Sequence, residues 1–153
     1  MEAINEHNKA PEIEISYRNT QAVEERVTLK DILGAKEFIR SIWNDGNIDL
    51  QEEFKVLLLN HAGHLLGVYN VHKGTMTGIP IDLRLIFGTA LKAAAMKIIL
   101  AHNHPSGQCR PSQNDIKLTN RAIEIGKLLD IEIQDHLIVT REQVFSFAEV
   151  GLL

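Results

Sequence analysis

The sequence predicts an α/β fold, with helices packed on a mixed sheet. Two observations carry this. Stretches with apolar residues at helical spacing alternate with short apolar runs of strand length. In addition, two of those runs flank the turn-like Asn60-His61-Ala62-Gly63, making a hairpin that argues against an all-parallel sheet.

The elements follow in order. Residues 1–11 are a polar lead-in ending at Pro11, and residues 12–18 (EIEISYR) alternate as an edge strand would. Residues 1–27 are therefore read as a lead-in and 28–153 as one domain. Thr28 and Asp31 resemble a capping box with Asp in place of Glu. They open a helical pattern through Leu29, Ile32, Leu33, Phe38, Ile39 and Ile42 that ends near Asn44-Asp45-Gly46. Phe54–Leu59 and His64–Val71 are the arms of the hairpin. After Gly74–Pro80, a second helix is expected from Asp82 to Ala95, on the spacing of Leu85, Ile86, Ala90, Leu91 and Ala94. Lys97–Ala101 (KIILA) is a continuous apolar run, as in a strand covered on both faces. A loop, Pro105–Pro111, leads to a third helix from Ser112 to Leu129. Strands are expected at Ile131–Thr140 and Val144–Phe147.

Composition narrows the function classes. The chain has 153 residues, 44% apolar and 24% charged, as in a soluble globular domain. A net charge of -4 offers no general attraction to phosphate backbones, and the few aromatics form no base-stacking series. One cysteine, Cys109, excludes an intramolecular disulfide and suits a reducing cytoplasm. The polar, acidic N-terminus lacks the basic and apolar regions of a signal peptide. No apolar run approaches the ~20 residues that span a bilayer.

Chemistry concentrates in His102-Asn103-His104 and Ser112-Gln113-Asn114-Asp115. A strand sends alternate side chains to one face, so His102 and His104 point the same way from the end of KIILA. Two imidazoles so placed can reach one metal ion at ~2.0–2.1 Å. Pro105 biases His104 to extended geometry. Asp115, in the first turn of the next helix, can supply a third ligand and leave a fourth position for water, the layout of a catalytic zinc site. Ser112 and Asp115 have a plain structural use as well, since Ser-x-x-Asp at a helix start is a capping arrangement. His61, His64 and His72 are expected to face solvent. Cys109 is expected to be a loop residue, and His136 a structural or supporting group rather than a fourth ligand.

His102-x-His104-x7-Ser112-x2-Asp115 resembles the JAMM motif of MPN-type metallopeptidases. HNHPSG (102–107) with PSQND (111–115) is similar to the RadC branch of that class. The resemblance runs from about Glu52 to Leu153 and includes GTMTG (74–78), Asp135-His136 and SFAEVGLL (146–153). It implies a cytidine-deaminase-like mixed sheet packed with helices, and zinc bound by His102, His104 and Asp115. It also implies a glutamate acting as general acid and base, matched here by Glu52. Glu53 stands one residue away on the opposite strand face, so a slip of register would exchange them. In the class Ser112 helps stabilise the oxyanion, and the implied reaction is hydrolysis of a peptide or isopeptide bond in a protein or peptide substrate. RadC-type proteins usually carry an N-terminal helix-hairpin-helix region. About fifty residues precede Glu52 here, so that DNA-binding part is expected to be absent or rudimentary.

Three other readings remain beside the hydrolase. One is a RadC-like protein associated with DNA repair, which the charge balance does not favour. Another is a non-catalytic MPN scaffold, which usually lacks the metal ligands. The third, a nucleoside deaminase, needs His-x-Glu and Pro-Cys-x-x-Cys, and this chain has neither.

Overall fold

A computed structural model describes residues 14–74 and 81–153. Its centre is a five-stranded mixed sheet built from β1 (Glu52–Leu59), β2 (Leu65–Gly74), β3 (Lys97–Asn103), β4 (Glu132–Val139) and β5 (Val144–Ser146). The spatial order is β2-β1-β3-β4-β5. Only β3 and β4 run parallel; the other neighbours are antiparallel. Three α-helices accompany it among the described residues: α1 (Ile32–Ser41), α2 (Leu83–Lys92) and α3 (Gln113–Leu129).

The central strands are apolar throughout because both faces of the sheet are covered. Phe54, Val56, Leu58, Ile98 and Leu100 face one way and pack with Ile86 and Ala90 of α2 and Ala122 of α3. Leu57, Leu59, Ile99 and Ala101 face the other way and pack with Ala35 and Ile39 of α1, Trp43 and Ile48. Burying each of the Val, Leu, Ile and Phe side chains contributes about 1.5–3 kcal/mol relative to leaving it exposed. No described helix is long and apolar enough to cross a membrane.

Three expectations change. Residues 14–18 form no strand; Ile15 is 94% exposed, and the sheet edges are occupied by β2 and β5. Residues 12 and 13, and positions 75–78 of GTMTG, lie outside the described residues. Helix α1 starts at Ile32 rather than Leu29. Asp31 is its N-cap, accepting from Gly34 N at 2.7 Å, and Thr28 instead bridges to His64 beside the hairpin. Leu29 N donates to Gly63 O at 2.9 Å, so this segment is committed to a strand-like contact that local spacing does not reveal. Helix α2 stops at Lys92 because Ala94 takes a left-handed φ of 52°.

The topology gathers four chain segments at one end of the sheet. Antiparallel pairing puts the start of β1 beside the end of β3, with Phe54 opposite His102. Parallel pairing brings the end of β4 to the same place, and α3 begins there after the return loop.

Candidate metal centre

His102 continues the face of Ile98 and Leu100, and its ring stacks on Phe54 with centroids 5.8 Å apart and planes 6° apart. His104 lies one strand repeat further on, held extended by its N–H donating to Val139 O at 3.1 Å. The chain then turns. Gly107 N donates to His104 O at 2.9 Å, and Gly107 has φ +79°, a conformation that side chains disfavour. The turn delivers Ser112 as the N-cap of α3. Ser112 Oγ accepts from Asp115 N at 3.1 Å, and Asp115 Oδ2 accepts from Ser112 N at 2.7 Å. Capping thus orients Asp115 towards the histidines, so its part in the cap is compatible with service as a metal ligand. His102 Nε2 lies 3.2 Å from Asp115 Oδ1, and His104 Nε2 lies 3.4 Å from Oδ2. One ligand atom from each of the three residues lies within 4.8 Å of the others.

Hydrogen bonding behind the rings decides which nitrogens face forward. Thr119 Oγ1 donates to the Asp115 carbonyl at 2.7 Å and stands 2.6 Å from His136 Nδ1. With its proton so used, Thr119 accepts from His136 Nδ1–H. His136 Nε2 is left as an acceptor for His102 Nδ1–H at 2.9 Å, and His102 Nε2 keeps its lone pair. His104 is set in the same way: Gln108 O can only accept, so His104 Nδ1 donates to it at 2.8 Å and Nε2 faces forward bare. The two Nε2 atoms stand 2.9 Å apart against a carboxylate. Converging lone pairs repel unless a proton or cation lies among them, so this donor set fits a metal ion.

Electrostatics agree with the geometry. Burial pushes the Asp115 carboxyl up, but a proton held among the imidazoles of His102 and His104 in place of a cation outweighs it and, with the Ser112 N–H, holds the group well below the usual carboxylate range. Asp115 raises the His104 imidazole against the opposing effect of burial, and Glu52 adds to the rise. Complete burial, with His102 adjacent, keeps His136 neutral far below its ordinary range.

Glu52 falls on the same strand face as Phe54 and His102. It lines a cleft of about 590 Å³ together with Phe54, Ile81, His102, His104, Ser112, Asn114, Asp115, Lys117, Leu118 and Arg121. Glu53 points to the other face, is 5% exposed, and pairs with Lys55 Nζ at 3.0 Å. Of the two glutamates, Glu52 is the one that shares the cleft with His102, His104 and Asp115. Ser112 Oγ uses a lone pair to cap α3, and its hydroxyl proton has no acceptor among the described residues.

Sequence reasoning missed Asn103 and Thr119. Asn103 is wholly buried; Oδ1 accepts from Glu53 N at 2.7 Å, and Nδ2 donates to Ile48 O at 2.7 Å and Gln51 O at 2.9 Å. The central residue of His-x-His thus grips the backbone on both sides of Glu52. An Asn in that position is the one signal that could have pointed to it. His136 supports His102 from behind, as expected. Only His61 is exposed among the hairpin histidines: His64 accepts from and packs beside Asn60, and His72 is half-buried. Cys109 is a half-buried loop residue whose S–H donates to Ile138 O at 3.5 Å.

A family model described as "RadC-like JAB domain" matches residues 29–152. Over 104 residues the chain is 46% identical to a UPF0758 protein of Porphyromonas gingivalis, covering 67% of this chain and 46% of that protein. Over 103 residues it is 44% identical to UPF0758 protein YkfG of Escherichia coli K12, covering 67% and 65%. Over 101 residues it is 41% identical to a UPF0758 protein of Flavobacterium johnsoniae, covering 66% and 44%. The match thus spans less than half the length of two of these three relatives.

Proposed function

The chain belongs to the RadC-like JAB domain family, and on that footing we propose that it is a zinc-dependent hydrolase of peptide or isopeptide bonds. One observation carries the reading: the bare Nε2 atoms of His102 and His104 converge with the Asp115 carboxylate on a cleft that also contains Glu52. Three ligands with room for a fourth match an open, catalytic arrangement. Zinc held there would supply a water of lowered pKa and a Lewis acid for the scissile carbonyl.

The chain's own residues do the remaining work. Glu52 accepts the proton of the attacking water and returns it to the leaving amine, general acid-base work that is typically worth about 10²–10⁴-fold. Ser112 directs its free hydroxyl proton at the developing oxyanion, a donor of the kind worth about 10²–10³-fold. Phe54 and the buried His102–His136 pair form a dry floor, which strengthens both interactions. The single half-buried thiol suits a cytoplasmic setting.

Metal analysis tests the reading, joined to peptide-library cleavage by wild type, His104→Ala, Asp115→Ala and Glu52→Gln. The expected result is about one zinc per chain, lost in the first two variants and kept in the third, with cleavage only by wild type. A folded wild type that takes up no metal when zinc is supplied would overturn it in favour of a scaffold.

A further inference from the structure

The cleft holds two charged side chains that the proposed hydrolysis does not use, Lys117 and Arg121. They are four residues apart on α3 and so lie on one helix face. That face also carries Asn114 and Leu118, and all four line the cleft of the metal-ligand group. Both cations are exposed, and neither makes an ion pair or side-chain hydrogen bond among the described residues. What sets them apart from other cations unpaired among the described residues, such as Lys92 and Lys127, is their place in this cleft. Lys36, Arg40, Lys55, Arg84, Lys97 and Arg141 each face a carboxylate. The cleft's own acids are engaged elsewhere: Asp115 faces the two histidines, and Glu52 is the proposed base.

Beyond Arg121 the cleft leads on. Ile81 and Arg121 also line a second groove, between α2 and α3, with a largely apolar wall formed by Leu83, Phe87, Leu91 and Ile125. An extended segment entering at the candidate ligand group and following this path would meet two positive charges that have no carboxylate partner among the described residues, then apolar surface.

We propose that Lys117 and Arg121 form a carboxylate-recognising subsite, and that the substrate is a peptide segment with an acidic group beside the scissile bond and an apolar residue beyond it. The proposal deepens the hydrolase reading and rests on it for the identity of the scissile bond. Charge complementarity selects the occupant. Two cations in a cleft focus their field on one anionic group, whereas a nucleic acid needs a longer basic track and stacking faces. The net charge of -4 and the scarcity of exposed aromatics supply neither.

Binding to the zinc-loaded Glu52→Gln variant of the full chain tests this without requiring turnover. The probes are fluorescent peptides with an aspartate or glutamate, the matching amides, free-acid and amidated C-termini, and single-stranded oligothymidylate. Acidic peptides should bind about tenfold or more tightly than their amide counterparts. Lys117→Ala/Arg121→Ala should abolish that preference while zinc content and circular dichroism stay unchanged. A control with the same charge change outside the cleft, Lys92→Ala/Lys127→Ala, should retain it. The peptide termini distinguish a side-chain carboxylate from a C-terminal one. Equal binding of acid and amide, a preference that survives the cleft double variant, no peptide binding, or tighter binding of oligothymidylate would each overturn the subsite. Cleavage by wild type, measured in parallel, separates the two ideas. Cleavage without acid preference removes the subsite alone, whereas acid preference without cleavage removes the hydrolase reading alone.

Discussion

His136 Nε2 lies 2.9 Å from His102 Nδ1, inside the protein and behind the candidate metal centre. The bond fixes the ring of His102 and, through Thr119, its tautomer. Supports of this kind typically carry about 10–100-fold in metal affinity. Thr119→Val keeps the shape but leaves His136 Nδ1–H without its acceptor. It should weaken zinc binding by about tenfold and cost about 1–3 kcal/mol of stability. Competition with a chromophoric chelator and urea unfolding would measure the two effects; unchanged zinc affinity would refute the tautomer assignment.

The metal-free protein should have a pH dependence set by Asp115 and His104. His104 is raised in the folded state by Asp115. Its contribution is therefore full below the unfolded histidine value of ~6.5 and is lost as pH rises through the folded value. Asp115 is depressed, so its contribution is present above the unfolded value of ~3.9 and is lost as pH falls towards the folded value. Thermal melts of chelated protein should thus decline on the alkaline side of ~6.5. Asp115→Asn should flatten that decline, and a slope unchanged by the substitution would count against the pairing.

Asn103 joins the strand of the histidines to the backbone flanking Glu52. Asn103→Ala strands the Glu53 N–H and the Ile48 and Gln51 carbonyls. Each unsatisfied buried group costs about 1–3 kcal/mol, and with partial relaxation the sum should be roughly 2–4 kcal/mol. The urea midpoint reads this directly. Zinc content should persist in the folded fraction, because no ligand is removed.

The two adjacent glutamates should separate cleanly. Glu52→Gln should keep zinc and reduce peptide cleavage by about 10²–10⁴-fold. Glu53→Gln should leave cleavage within a few-fold, since that side chain pairs with Lys55 on the other face. Equal losses in the two variants would remove Glu52 from its proposed role. Steady-state rates on the best library peptide are the measurement.

Features governed by local chemistry were legible from residues alone. Ser112 and Asp115 form their capping box within one helical turn, and the hairpin follows from its turn residues. The alternation of His102 and His104 follows from strand geometry, and Glu52 shares their side of the sheet through the same period of two. What escaped depends on distant partners. Thr28 looked like a cap because its actual neighbour, His64, is 36 residues away. Residues 14–18 alternate like a strand but find no sheet edge to join. Asn103 reads as a spacer until β1 is laid beside β3, and the use of Thr119 appears only when α3 packs over β4.

The pairing of β1 with β3 also joins distant parts of the chain. His102, His104 and Asp115 lie within one short stretch of chain, joined by a loop and a cap, and β4 holds both histidines through Val139 and His136. Glu52 reaches them only when a strand from fifty residues upstream closes in register, a non-local step that is slow compared with turn and helix formation. Glu52 is thus the group of the cleft whose placement rests on the most distant pairing in the sheet. In the proposed hydrolase, opening of that pairing would therefore remove the base from the cleft.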